Sequence, residues 1–165
     1  MLDTVTRYLS NVGSLIDKSA LRLVLTPIGD RLSSQATSSA GLVVGATNTT
    51  SQTGTVPFAG VASGVPVAIA ASTLMPALTG LNITAGSYNV FCYFVDAASV
   101  VTVLIGTEGT TLAKVGFPQF PQGKALVGYL VVTFASQFVG GTTPLSTATT
   151  VYVSPVGSFD PTVLI

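Results

Sequence analysis

The sequence contains no histidine, and one of its 165 residues is a cysteine. Without histidine, Ser-His-Asp and Cys-His nucleophile arrangements cannot be assembled, and the commonest metal ligand is missing. The single Cys92 excludes an internal disulfide framework and a cysteine-based metal cluster. It sits in the apolar run YNVFCYFV with no Lys or Arg beside it, so it reads as a small buried hydrophobe rather than a reactive thiol.

Charge is equally scarce. Only 7% of residues are charged, against about 25% in an average soluble domain. Six basic and six acidic side chains cancel, which leaves no cluster of Lys and Arg for nucleic acid. Beyond the N-terminal segment the acids are Asp96, Glu108 and Asp160. A glycosidase-like mechanism would need two of them across one cleft, whereas Glu108 falls in an expected hairpin tip and Asp96 at a strand end, as solvated turn residues do. Gly123-Lys124 lacks the following Ser or Thr of a phosphate loop. The sequons at Asn48 and Asn82 are read as chance matches. No enzymatic activity, catalytic residue, cofactor or metal is expected.

Long uninterrupted apolar runs are missing too. Asp3 precedes any basic residue, and no continuous apolar stretch follows it, so the N-terminus does not read as a secretory signal. Residues 56–78 are apolar but contain Pro57, Pro66, Pro76, Gly60 and Gly64. A spanning helix would have to satisfy the backbone groups freed at each break, so a membrane partner is not expected.

What is present falls into three zones. Residues 1–31 hold seven of the twelve charges. Their apolar positions Leu2, Val5, Leu9, Val12 and Ile16 alternate steps of three and four, which predicts a helix over about 2–18. The stripe suits either a helix packed on its own domain or a short coiled coil or neighbour-docked helix. Residues 32–81 carry no charge and begin rich in Ser, Thr, Gly and Ala; they are expected to form an extended arm or short strands lying on another surface.

Residues 82–165 form the third zone, an antiparallel β-domain. YNVFCYFVD, SVVTVLIG, TTLAKV, KALVGYLVVTF and TTVYVS are rich in β-branched and aromatic residues and separated by turn formers, which predicts five strands. A hairpin at Thr107–Thr110 is expected between the second and third, with a Pro-pinned loop at GFPQFPQG. Both faces of the first of these strands are apolar. So are those of KALVGYLVVTF, with Leu126, Leu130, Val132 and Phe134 on one side and Val127, Tyr129 and Val131 on the other. A sheet wet on one face would show polar residues there, so another subunit or the chain's own arm must cover the second face.

The run from Phe117 to Phe159 has a Pro-containing loop, then Val127-Gly128-Tyr129-Leu130 leading a hydrophobic strand, Phe138, Gly141-Thr142-Thr143, Leu145 and a short final strand. In that order of features it resembles the C-terminal region of small accessory proteins of tailed phages, the head-fibre and capsid-decoration or cement group. The resemblance covers about a quarter of the chain. It implies a β-sandwich or jelly-roll-like homotrimer on the capsid surface of the virion, partnered by further copies of itself and by the major capsid protein. Tyr88, Tyr93, Tyr129 and Phe138 are then candidate interface anchors, with core packing as the alternative for each. The N-terminal stripe and the apolar tail around Leu164 are candidate devices for exchange between protomers. A second reading is a receptor-binding or adhesin-like fibre or tip protein of the virion.

Overall fold

The computed structural model describes residues 18–157 and 159. A helix, α1 (Lys18–Ser33), is followed by β1 (Gln35–Ala36), β2 (Val43–Val44), β3 (Ser51–Gln52), β4 (Phe58–Ala62), β5 (Val65–Ile69), β6 (Tyr88–Val95), β7 (Val101–Ile105), β8 (Ala125–Thr133) and β9 (Thr149–Val153). All pairings between these strands are antiparallel. The architecture is mainly β and sandwich-like, with a four-stranded sheet β7-β6-β8-β9, a three-stranded sheet β1-β4-β5 and a two-stranded β2-β3 ladder.

The four-stranded sheet is built from the most β-branched and aromatic segments of the chain, as the sequence predicts. Asp96 turns β6 into β7: its Oδ1 accepts hydrogen bonds from the backbone N–H groups of Ala98 and Val100, each at 3.0 Å. Between β6 and β8 the register shifts beside Tyr93, where Tyr93 opposes Gly128 and Phe94 opposes Leu126. Val127 is the extra residue of this β-bulge. A bulge breaks the two-residue alternation, and the expected facing of β8 is corrected accordingly. Leu126 joins Tyr129 and Val131 on one face, while Val127 joins Leu130, Val132 and Phe134 on the other.

The chain itself covers both faces. On one, Phe91, Tyr93, Val95, Val127, Leu130 and Val132 pack in a single core with Ala36, Leu42, Phe58, Val67, Ile69 and Leu78. The uncharged zone, expected as an extended arm or short strands lying on another surface, contributes short strands that share this core and form the other half of the sandwich. Its β4–β5 hairpin closes through Ser63 and Gly64, both at positive φ (51° and 78°), as a two-residue primed turn demands. Pro66 sits in β5, at the edge of its sheet, where a missing N–H costs no ladder bond.

On the other face lie Val90, Cys92, Phe94, Leu126 and Tyr129. Because β6 stands between β7 and β8, the connection 106–124 has to cross from one side of β6 to the other. That crossing brings Val115, Phe117 and Phe120 over this face, where Phe159 joins them. The expected strand TTLAKV is absent: Leu112–Lys114 form a 3-10 turn. Nor does Thr107–Thr110 make the expected hairpin. Gly109 pairs with Tyr88 and Thr107 with Gly116, closing residues 107–116 into a loop pinned to the start of β6. Two-sided apolarity thus has an explanation within one chain, and a covering subunit is not needed for it.

The helix expected over 2–18 lies outside the described residues except at Lys18, where α1 begins. That α1 runs through Pro27 and Gly29 to Ser33 is a departure from what those residues favour. Its C-terminal end is fastened to the β-unit: Gly123 N–H donates to Asp30 Oδ1 at 2.9 Å, and Gly64 N–H to Ser33 O at 2.8 Å. No described helix is long and apolar enough to cross a membrane; residues 56–78 instead contain the β4–β5 hairpin.

Candidate interaction surfaces

The few charged side chains of the β-unit serve local structure. Lys124 Nζ donates to Thr102 Oγ1 at 3.1 Å and lies 3.9 Å from Asp96 Oδ2, tying the start of β8 to the β6–β7 turn. The exposed Glu108 accepts a hydrogen bond from Thr84 N–H at 3.2 Å. Partial desolvation acts to raise its carboxyl, but hydrogen bonds from Thr84 and Ser87 outweigh it and hold the group below its ordinary value. No group of three or more His, Cys, Asp or Glu side chains converges among the described residues.

Burial also decides the state of the core's titratable groups. It pushes the Cys92 thiol far above its ordinary range and, against the nearby Ser51 hydroxyl, raises Tyr93 to about 12. Tyr129 and Tyr152 are raised for the same reason. The hydroxyls of Ser51, Tyr93 and Tyr152 are buried without a hydrogen-bond partner among the described residues, although Tyr93 faces both others.

Of the aromatic residues expected to anchor a partner, Tyr93, Tyr129 and Phe138 are at most 1% exposed. Tyr93 fills the sandwich core, Phe138 packs there against Phe91 with ring centroids 5.9 Å apart, and Tyr129 meets Phe117 edge-on at 5.0 Å on the other face. These three are core residues of their own chain, because short strands and loops cover the sheet that displays them. Tyr88 is half-buried beside the second cluster. Leu2, Val5, Leu9, Val12, Ile16 and Leu164 lie outside the described residues.

Two surface features were missed by sequence reasoning. The first is on α1, where Leu21, Leu25, Ile28 and Leu32 are 44%, 52%, 50% and 65% exposed. At 3.6 residues per turn they fall within an arc of about 60°, and their 4-3-4 spacing was legible in the sequence. Asp30, which holds the β-unit, is on the opposite side. The second is a shallow groove of about 470 Å³ beside β2 and β3, lined by Ser38, Ser39, Val43, Gln52, Thr55 and Ser72. Its hydroxyl and amide groups come from segments too irregular to be located from residue pattern alone. A cavity of about 40 Å³ where α1 meets Phe120 and Phe159 is water-sized.

No protein-family model, curated protein or solved structure matches the chain.

Proposed function

We propose that this chain is a structural virion protein of a tailed phage, decorating the capsid shell and stabilising it through the major capsid protein and further copies of itself. The observation that carries the reading is the surface of the β-unit. Residues 34–157 hold four charged side chains, Asp96, Glu108, Lys114 and Lys124, where a surface built for free solution is about 25–35% charged. Large apolar side chains stand out from it, including Val56, Val100, Val151 and Val156, each more than half exposed. A surface so poor in charge suits shape-matched burial against another protein, because charged residues are depleted at the centre of interfaces, and cementing a shell requires area rather than reactive groups. The resemblance over Phe117–Phe159 supports the same reading, on the segment that supplies β8, β9 and the aromatic cover of the second face.

The groove, where Ser38, Ser39, Gln52, Thr55 and Ser72 stand among apolar Ala40, Val43 and Val56, supports a second reading, an adhesin-like tip protein that binds host glycans. Co-sedimentation separates the two. A decoration protein pellets saturably with shells of the phage that encodes it and is not retained by immobilised host surface polysaccharide; retention by the polysaccharide alone overturns the first reading in favour of the second.

A further inference from the structure

We infer that the place held by the Phe159 ring is a binding site for a small phenolic molecule, a flat ring bearing one hydroxyl, and that Phe159 is its built-in plug. The inference goes beyond the capsid reading and does not depend on it.

The site is a box of three rings on the second face of the four-stranded sheet. Phe159 stands steeply inclined to Phe117 with centroids 5.3 Å apart, tilted against Tyr129 at 5.4 Å and parallel to Phe120 at 6.1 Å. Phe94, edge-on to Phe120 at 5.0 Å, backs the box. At such separations aromatic rings attract one another, so another flat ring of the same size is held in the same way.

Phe159 satisfies the rings but not the polar group they carry. Tyr129 is 1% exposed, and its hydroxyl is buried without a hydrogen-bond partner among the described residues. Leaving a buried hydroxyl unpaired is costly, and a phenyl ring has nothing to offer it. A phenol in the same place supplies both the ring and a hydroxyl that can donate to Tyr129 or accept from it. The water-sized cavity beside Phe120 and Phe159, with Ser34, Lys124 and Leu126 among its lining residues, leaves room for the ring to adjust.

The plug is lightly held, and one wall of the box is free to shift. Phe159 is half-buried and lies beyond the end of β9 at Val153. Gly157, at a positive φ of 84°, ties this segment to Ala36 O through its N–H at 2.7 Å. The wall at 117–122, which carries Phe117 and Phe120, makes no backbone hydrogen bond to another described residue. It is fixed at its ends, where Gly116 pairs with Thr107 and Gly123 N–H donates to Asp30. A segment held by side-chain packing alone belongs to the low-stability end of a fold, and a pocket opened by displacing it is a minor conformation that a ligand makes dominant.

The experiment uses the full chain, with phenol as the probe and toluene as its isostere without a hydroxyl, both titrated by ligand-observed NMR. Wild type binds phenol saturably. Phe159→Ala removes the competing ring and tightens binding of both probes by about tenfold, the gain when a site that is about nine-tenths plugged is cleared. In that variant Tyr129→Phe keeps the rings, removes the hydroxyl and weakens phenol by about two- to tenfold, the worth of one hydrogen bond, while toluene is unaffected. Cooperative thermal unfolding verifies that each variant is folded, and Phe159→Leu, which keeps an apolar side chain without the ring, replaces Phe159→Ala where the latter does not fold. The inference is overturned by the absence of saturable phenol binding, by a Phe159 variant that binds no tighter than wild type, or by equal effects of Tyr129→Phe on the two probes.

Discussion

Leu42 and Gly128 meet across the sandwich so closely that a Cβ on Gly128 would stand 2.6 Å from Leu42 Cδ1 and 2.6 Å from Val153 O. The contact joins the uncharged zone to the central strand β8 beside its bulge. A methyl group there must displace backbone on one side and a core side chain on the other. Gly128→Ala is expected to lower stability by about 1–3 kcal/mol, the usual range for overpacking. Chemical denaturation checks this, and Leu42→Ala combined with Gly128→Ala should show non-additivity, since the two sites share one contact.

Tyr93 distinguishes a core role from an anchoring role. Its ring is buried and its hydroxyl has no hydrogen-bond partner among the described residues. Tyr93→Phe therefore keeps or raises stability, because an unpaired buried hydroxyl is removed at constant shape. Tyr93→Ala costs about 3–5 kcal/mol through cavity formation. Paired denaturation curves of the two variants measure the difference.

The Glu108 carboxyl is held below its ordinary value of 4.5 in the folded state. A depressed carboxyl contributes stability that is present above the unfolded value and lost as pH falls through the folded one. Wild type should therefore melt above Glu108→Gln at neutral pH, with the gap closing below about pH 4.5. A Tm series from pH 7 to pH 2.5 tests the sign; a gap that widens on acidification contradicts the Glu108–Thr84 contact.

Cys92 is fully buried, and its thiol is raised by burial. Only the thiolate reacts readily, so the native protein should be inert to a thiol reagent at pH 8 for as long as it stays folded. One equivalent reacts on unfolding. Time courses with and without denaturant read this directly, and prompt native labelling would contradict the packing on that face of β6.

Four of the five predicted strands of the third zone were legible because YNVFCYFV, VTVLI, ALVGYLVVT and TTVYV carry β-branched and aromatic residues in unbroken runs. TTLAKV carries similar residues, but it lies in a loop closed by Thr107 and Gly116 and pinned to Tyr88 by Gly109, so tertiary contacts override its propensity. The uncharged zone was unreadable for a different reason. Its first three strands are two residues long, too short for alternation to register. Its one strong local signal, Ser63-Gly64 between two apolar runs, marks the β4–β5 turn. Two-sided apolarity in β6 and β8 was read from sequence as a demand for cover; sequence could not say that the chain's own loops supply it. The α1 stripe had a readable spacing, obscured by Pro27 and Gly29, which argue locally against a helix.

Thermal release of the packaged genome measures the proposed stabilisation of a capsid shell. Shells stripped of the protein should release their DNA at a lower temperature than native ones, and adding back the purified chain should restore the native temperature at a fixed ratio of chains to major capsid subunits. Identical release temperatures with and without the bound chain would contradict a shell-stabilising role.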